Sequence, residues 1–223
     1  MDISYESFDN LEEDKKQKII NAGFKIFGEN GFKKASVDEI VKEANISKGS
    51  LFYYFESKKN FFLYLYQYSG EQLEKLIDHS GDNGIPSYLE YTDFFERLNA
   101  IQLLKMKHSA EFPHMYSFMK RAVFETTPAI RAEIAKVNDH YTKERAMAFF
   151  QNLDYSKFKE GIDPKMIISL ITWCSEGCAN QIILQEKMNP SSKSTIQEFQ
   201  EVFDLYQSYM VLFRNNFYKE EYL

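Results

Sequence analysis

The sequence predicts an all-α protein, in which an N-terminal three-helix domain precedes a longer helical domain, with about nine helices in total. The 223 residues include only 5 prolines and 9 glycines, so few positions would interrupt a helix. Apolar residues recur at intervals of three and four over most of the chain, which is the period of an amphipathic helix. Hydrophobic residues make up 44% of the sequence, enough for a substantial core.

The N-terminal part of the chain has an uneven charge distribution. Residues 1–14 contain six acidic residues and no basic one, and we expect this leader to be disordered. Residues 15–60 contain ten lysines and five acidic residues, a net charge of +5, although the whole chain has a net charge of −6. A basic segment in an acidic protein is the charge pattern expected of a nucleic-acid-binding domain. The first helix is predicted from about residue 12 to residue 30.

Residues 36–59 predict two short helices joined by a tight turn. Ser36 and Glu39 have the spacing of a capping box, and apolar residues follow at helical intervals. Asn45 suits a helix end because it tolerates the left-handed conformation, and Ser47 suits the N-cap of the next helix.

The second helix of this pair is expected to have one buried and one exposed face. Leu51 and Phe55, four residues apart, would face the core and leave an outward set: Lys48, Ser50, Tyr53 and Tyr54. Lysines, hydroxyls and the free amides of a helix N-terminus are donors for phosphates and base edges. Gly49 would allow the helix to approach DNA closely, at a cost of roughly 1 kcal/mol of helix propensity relative to alanine. Spacing alone leaves open an ordinary helical hairpin with a solvated polar face.

Several short motifs occur together without a gap: Phe27…Gly31-Phe32, Ser36, Ser47-Lys48-Gly49-Ser50-Leu51, Tyr54-Phe55 and Ser57-Lys58. As a set, they make residues 15–62 resemble the N-terminal DNA-binding domain of TetR-family transcriptional regulators. Two positions depart from the family pattern. Phe52 stands where the family usually has tyrosine, and Glu56 stands where many members have lysine. Both departures imply weaker contact with phosphates.

The resemblance implies a homodimeric, ligand-responsive regulator, in the first place a repressor that binds a palindromic DNA operator and is released by a small effector. The high aromatic content of the sequence favours an apolar or aromatic effector. We expect five residues to contact phosphates: Ser36, Ser47, Tyr53, Lys58 and Lys59. Three other residues are expected nearest the bases: Lys48, Ser50 and Tyr54. Gly49 lies between Lys48 and Ser50 and would allow the backbone to approach the DNA closely. The alternative is a small-ligand-binding protein of the same fold that has no role on DNA.

The middle of the chain predicts four helices. One begins at Ser57 and ends near residue 79, before a loop at 80–84, and three follow at roughly 86–108, 113–125 and 128–152. Their aromatic and methionine content suits an adaptable apolar pocket, although plain core packing is the alternative for any single residue. The resemblance implies an unidentified small-molecule effector here, and the candidate pocket residues are Phe94, Phe95, Leu98, Met115, Tyr116, Met119, Tyr141 and Trp173.

The last two helices, predicted near 164–188 and 194–218, contain apolar residues on two sides of the final helix. One stripe runs from Ile196 to Phe217 at alternating intervals of three and four, and a second consists of Val202, Leu205, Tyr209 and Leu212. A helix with two apolar stripes packs on two sides. We therefore expect a homodimer through residues 164–218, joined by Trp173, Gly177 and Leu184. Burial of both stripes within one monomer is the alternative.

The remaining features exclude other classes of protein. Cys174 and Cys178 lie four apart in a helix and are expected to be small core residues, with a redox role as the alternative. The four histidines lack paired-ligand spacing, and no catalytic or nucleotide-binding motif is present, so we predict no metal, no cofactor and no enzyme. Without a signal peptide or a long apolar run, the protein is expected to be cytoplasmic. We expect residues 15–60 to form the DNA-binding domain and residues 61–223 to form the ligand-binding and dimerisation domain.

Overall fold

The computed structural model describes residues 5–78, 87–123, 125–188 and 195–223, and it confirms the all-α fold class. Within these residues the chain forms ten α-helices, the first of which is a single turn. Their bounds are α1 Glu6–Asp9, α2 Glu13–Lys34, α3 Val37–Ala44, α4 Lys48–Phe55, α5 Lys58–Asp78, α6 Phe94–Glu111, α7 Pro113–Val123, α8 Pro128–Phe149, α9 Pro164–Met188 and α10 Thr195–Phe217. The loop predicted at 80–84 lies outside the described residues.

Most helix ends agree with the sequence prediction, and local chemistry explains the two main differences. Gly31 has a φ of 71° and interrupts α2, so the regular part of this helix ends near the predicted residue 30. The helix predicted from residue 86 begins only at Phe94, because the Asp93 carboxylate accepts the amides of Phe95 at 2.9 Å and Glu96 at 3.0 Å. This is the arrangement of an N-cap, which fixes where the helix starts.

The leader predicted to be disordered is instead structured from Tyr5 onwards. Residues Glu6–Asp9 form α1, and Phe8 is 0% exposed. The acidic composition suggested disorder, but Tyr5 and Phe8 lie three residues apart and place their rings on one side of a helical turn. Burial of a phenylalanine contributes about 2 kcal/mol toward the ordering of this segment, which costs about 1–2 kcal/mol per residue.

The chain divides into two compact units, and the first consists of Met1–Lys75 and Phe112–Ala146. Its core is aromatic: the ring of Phe118 in α7 lies 5.3 Å from Phe24, 6.3 Å from Phe27 and 4.9 Å from Phe62. The α2 backbone comes close to α7 at Gly28, where an added Cβ would lie 3.1 Å from the Phe118 amide nitrogen. Helix α7 therefore packs directly against the segment predicted to bind DNA.

The second unit consists of Leu76–Glu111 and Met147–Leu223. Its core contains the buried residues Phe94, Phe95, Leu98, Phe149, Leu153, Phe158, Ile167, Ile171, Tyr206, Met210 and Tyr218. Arg97 is fully buried among them, and its guanidinium donates to the backbone carbonyls of Leu89, Tyr91, Phe149 and Gln151. A charged side chain thus joins the segment before α6 to the end of α8.

Candidate nucleic-acid interface

Helices α3 and α4 form the helix-turn-helix that the sequence predicts. The Ser36 Oγ accepts the Asp38 amide at 3.2 Å, and the Glu39 carboxylate accepts the Ser36 amide at 3.4 Å, which completes the capping box. Asn45 ends α3 in the left-handed conformation, with φ 53°. The Ser47 Oγ then caps α4 by accepting the Ser50 amide at 3.0 Å. These local bonds fix the turn, and therefore the direction in which α4 leaves it.

The N-terminal end of α4 has donor groups available to an external partner. The Lys48 ammonium lies 3.0 Å from the Asp38 carboxylate, but both side chains are exposed, so the ion pair is weak and readily exchanged. The hydroxyls of Ser47 and Ser50 are 2.8 Å apart and share one hydrogen bond, which leaves one of the two protons to donate elsewhere. Tyr53 is 72% exposed. Lys48 and Tyr53 are thus exposed, and Ser36 and Ser50 are half-buried.

Gly49 occupies a position where the fold itself does not require glycine. An added Cβ would meet nothing closer than the Ser47 Oγ at 3.7 Å, an ordinary van der Waals distance. Alanine would also favour the helix by roughly 0.5–1 kcal/mol. A benefit of glycine at this position therefore has to come from something outside the chain, such as close approach to another molecule.

The prediction that Tyr54 points outward is wrong. Its side chain is only 9% exposed, because its ring packs against Phe8 at a centroid distance of 5.7 Å. Tyr54 follows the buried Leu51 by three residues and so lies beside the buried face of α4, and the sequence did not indicate that α1 would cover this side of the helix.

Lys58, predicted to contact phosphate, is directed into the protein. Its ammonium donates to the carbonyls of Phe32 at 2.9 Å and Ala35 at 3.1 Å, and it lies 4.7 Å from the centroid of the Phe32 ring. These carbonyls belong to the end of α2 and the residue after it, so Lys58 joins the start of α5 to the corner from which α3 begins. The neighbouring Lys59 is half-buried, and no hydrogen bond or ion pair is recorded for it in the described part of the chain.

The predicted effector residues do not form one cluster within either unit. Phe94, Phe95 and Leu98 belong to the core of the second unit, whereas Met115 and Tyr116 are buried in the first and Met119 is half-buried there. Trp173 is 66% exposed on α9. The side chain of Tyr141 lies outside the described part of the structure. The effector pocket therefore stays a prediction.

Sequence reasoning missed a group of contacts between the α7–α8 corner and the end of α2. Arg121 donates to the Gly28 carbonyl at 2.8 Å, and Lys33 lies 3.5 Å from the Thr126 hydroxyl. Burial raises the pKa of Glu125, but hydrogen bonds from Thr127, Thr126 and the Phe32 amide outweigh it and hold the pKa below its usual range. The corner is thus attached to α2 on both sides of Gly31. The only sequence signal was the Glu125-Thr-Thr-Pro run, which is typical of a helix start.

Other kinds of site receive no support from the residues that the structure describes. Among them, no group of three or more histidines, cysteines or acidic side chains could hold a metal ion. No helix in the same residues is long and apolar enough to cross a membrane. Burial and the adjacent Cys178 raise the pKa of the Cys174 thiol to about 11, which disfavours the reactive thiolate. The proposed redox role therefore has no chemical support at this cysteine.

Comparison with known proteins identifies the same segment. Residues 19–65 match a family model described as "Bacterial regulatory proteins, tetR family". The chain is 24% identical over 193 residues to IcaR of Staphylococcus aureus, the HTH-type negative transcriptional regulator of the biofilm operon icaADBC. The alignment covers 85% of this chain and 96% of IcaR.

Solved structures share the fold over nearly the whole chain. A TetR family transcriptional regulator from Chloroflexus aurantiacus superposes with a TM-score of 0.64 at 17% identity, covering 96% of this chain and 98% of that one. The regulator FadR from Bacillus subtilis, in complex with stearoyl-CoA, superposes with a TM-score of 0.53 at 17% identity, covering 85% and 96%. At these identities the likeness concerns the fold.

Proposed function

Because this chain belongs to the TetR family of transcriptional regulators, we propose that it is a dimeric repressor that a small apolar effector releases from DNA. The observation that carries the proposal is α4, whose Ser47-capped N-terminus bears Lys48, Gly49 and Ser50. Direct readout in the major groove uses side chains at this end of a recognition helix. The similar IcaR is a negative regulator, which favours repression over activation.

Individual roles follow from which donors are accessible. Lys48 and Ser50 would face the bases, because they lie in the first turn of α4. Phosphate contacts would come from exposed or half-buried groups flanking that turn: Ser36, Ser47, Tyr53 and Lys59. The Ser36 hydroxyl accepts a hydrogen bond from the Asp38 amide as a helix cap, so its own proton is still available to a phosphate oxygen.

A dimer is supported by apolar residues that the monomer leaves exposed. On α9 they lie at spacings of 4, 3, 11 and 4 residues, all close to whole helical turns, and therefore share one helix face: Met166, Leu170, Trp173, Leu184 and Met188. Gly177 belongs to the same series, and nothing lies within 4 Å of a Cβ added there, so a partner helix could approach closely. Tyr209 and Leu212 are further exposed apolar side chains, on α10. Two α4 helices in such a dimer would read half-sites roughly 34–36 Å apart or somewhat more.

For the effector, we propose only a chemical class and the helix that it contacts. The related FadR structure contains stearoyl-CoA, so a protein of this fold can bind a long acyl chain. In the present chain, α7 carries the predicted residues Met115, Tyr116 and Met119 and also packs on α2. A ligand that contacts α7 with different affinity in two conformations would shift the helix-turn-helix through this contact. We therefore propose α7 as a route from effector to DNA.

The proposal is tested by selecting DNA with the purified protein. Wild-type protein would be incubated with a pool of random-sequence duplexes, and the retained duplexes sequenced and then footprinted. We expect an inverted repeat whose protected half-sites are related by a two-fold axis, since a two-fold symmetric dimer selects a two-fold symmetric site. Retention of no particular sequence would contradict the proposal and favour a small-ligand-binding protein without a role on DNA.

Two variants then locate the reading surface. Lys48→Ala combined with Tyr53→Ala is expected to weaken binding to the selected duplex by about 100-fold, because a base contact and a phosphate contact are both lost. Lys136→Ala is the matched control, since Lys136 is an exposed lysine on α8 that pairs only weakly with Glu133. Equal affinity of the double variant and the control would show that α4 is not the reading helix.

A further inference from the structure

Helix α1 forms an aromatic cluster behind the recognition helix. The Phe8 ring lies 5.7 Å from Tyr54, 4.7 Å from Phe55 and 5.2 Å from Tyr64. The Tyr5 ring lies 5.8 Å from Phe55 and 4.9 Å from Tyr64. Tyr54 and Phe55 belong to α4, and Tyr64 belongs to α5. Phe8 therefore fills the space between the recognition helix and the helix that follows it.

The position of α1 is fixed by bonds as well as by packing. The Lys16 ammonium of α2 donates to the Asp9 carbonyl at 3.1 Å. The amide of Asp9 donates to the Tyr5 carbonyl at 2.9 Å, which closes the helical turn. The segment from Tyr5 to Asp9 is thus attached to α2 and packed on α4 and α5. It precedes residues 19–65, which match the family model, so the match assigns it no role.

From this geometry we infer that α1 is part of the DNA-reading domain and that Phe8 is a positioning residue, which sets the orientation of α4 by packing on Tyr54 and Phe55. The inference rests on the proposed function. Tyr54 is adjacent to the exposed Tyr53, with ring centroids 5.6 Å apart, so a shift of Tyr54 would displace a side chain expected to reach DNA.

The charge of α1 argues that it acts by positioning α4 and not by contacting DNA directly. The segment contains Glu6 and Asp9 and no basic residue. Acidic side chains are repelled by phosphates, so α1 has nothing to gain from direct contact with the DNA backbone. Its effect on binding is therefore expected to come through the aromatic cluster and not through counterion release.

The test compares Phe8→Ala and Phe8→Leu with the wild type on a duplex selected by the wild-type protein and on a scrambled duplex of equal length. Phe8→Ala is expected to weaken binding to the selected duplex roughly tenfold, because a displaced base-reading helix loses contacts of that size. Affinity for the scrambled duplex and the dependence of log K on log salt concentration should stay at wild-type values. Phe8→Leu should restore most of the affinity, since leucine fills much of the same space.

A general loss of stability would give a different result. Ile130→Ala, which removes a fully buried side chain from α8 in the same compact unit, is the control. It lowers the folded fraction but should leave the ratio of specific to non-specific affinity unchanged. If Phe8→Ala does not fold, Tyr5→Ala removes a half-exposed ring of the same cluster and is expected to show the same selective loss to a smaller degree.

Three results would overturn the inference. Wild-type affinity and specificity in Phe8→Ala, or in Tyr5→Ala where that variant is used, would show that α1 does not position α4, and the proposed function would stand. A fall of the salt dependence by about one unit would show that the variant loses a phosphate contact made by a lysine of the domain, and that the loss is not one of base reading by α4. Failure of the wild type to retain any specific duplex would remove the proposed function, and this inference with it.

Discussion

A lysine that already binds two backbone carbonyls has less to offer a phosphate than one whose ammonium faces water. The Lys58 ammonium donates to Phe32 and Ala35, and the Phe32 ring provides a favourable cation–π contact. The carbonyls lie at the corner between α2 and α3, where backbone acceptors lack helical partners. Lys58 therefore caps this corner, and its influence on DNA is expected to be indirect.

Adjacent lysines allow this difference to be measured. Lys59→Met is expected to reduce the slope of log K against log salt concentration by about 0.9, the value for one lost phosphate contact on duplex DNA. Lys58→Met should leave the slope unchanged while lowering the affinity and the melting temperature, because the corner loses its cap. The measurement is a titration of a selected duplex at several salt concentrations. A slope change in Lys58→Met equal to that in Lys59→Met would assign Lys58 to a phosphate.

At the scale of elements, the sequence predicted those features that neighbouring residues determine. Ser36, Glu39, Asn45 and Ser47 act within a few residues of themselves, so the turn between α3 and α4 could be predicted from spacing. The limits of α9 and α10 followed from long apolar periods bounded by proline and polar residues.

Contacts between distant segments were not predictable in the same way. The burial of Tyr54 depends on Phe8, which is 46 positions away in the sequence and lies in a segment whose acidic composition suggested disorder. The inward direction of Lys58 depends on two carbonyls of a different helix corner. Arg97 likewise follows Glu96 as one charged residue among others in α6, and nothing in the sequence indicates the four carbonyls from the segment before α6 and the end of α8 to which it donates. In each case the missing information was the tertiary partner.

The start of α6 depends on an ion pair whose strength changes with pH. Asp93 is 2% exposed and lies 2.8 Å from the Lys157 ammonium. Burial alone would raise the pKa of Asp93, but the hydrogen bonds from Lys157 and the Glu96 amide and the charges of Lys157 and Arg214 bring the pKa below its ordinary value. A folded-state pKa below the unfolded value contributes stability at neutral pH, and this contribution is lost as the pH falls through the folded-state pKa.

Asp93→Asn is therefore expected to lower the free energy of unfolding by about 1–2 kcal/mol at pH 7, because asparagine can cap the helix but cannot pair with Lys157. The difference from wild type should shrink as the pH is lowered below about 4, where free aspartate is itself protonated. Denaturant unfolding at a series of pH values measures both effects. Glu160→Gln, which changes an exposed carboxylate of the same unit, is the control. A difference that stays constant down to pH 2 would contradict the role of the ion pair.

At the scale of the molecule, charge and apolar surface are separated along the chain. The basic residues concentrate in 15–60, whereas the exposed apolar side chains of α9 and α10 lie in the second unit. A contiguous apolar surface is unfavourable in water unless a partner covers it. A second copy of the chain would cover this surface by packing its own copy of the same surface against it. The second copy would also supply the second α4 that a symmetric operator requires.

The dimer proposal predicts that a charge in this apolar surface separates the subunits. Trp173 is 66% exposed and Leu212 is 52% exposed, so Trp173→Glu with Leu212→Glu should leave each monomer folded. Burying two carboxylates at a subunit interface should raise the dimer dissociation constant by about 100-fold or more. Sedimentation velocity at micromolar concentration would then detect monomers. Leu103→Glu, at an equally apolar position on α6 that is 44% exposed, should stay dimeric. Monomers in Leu103→Glu but not in the double variant would place the interface elsewhere.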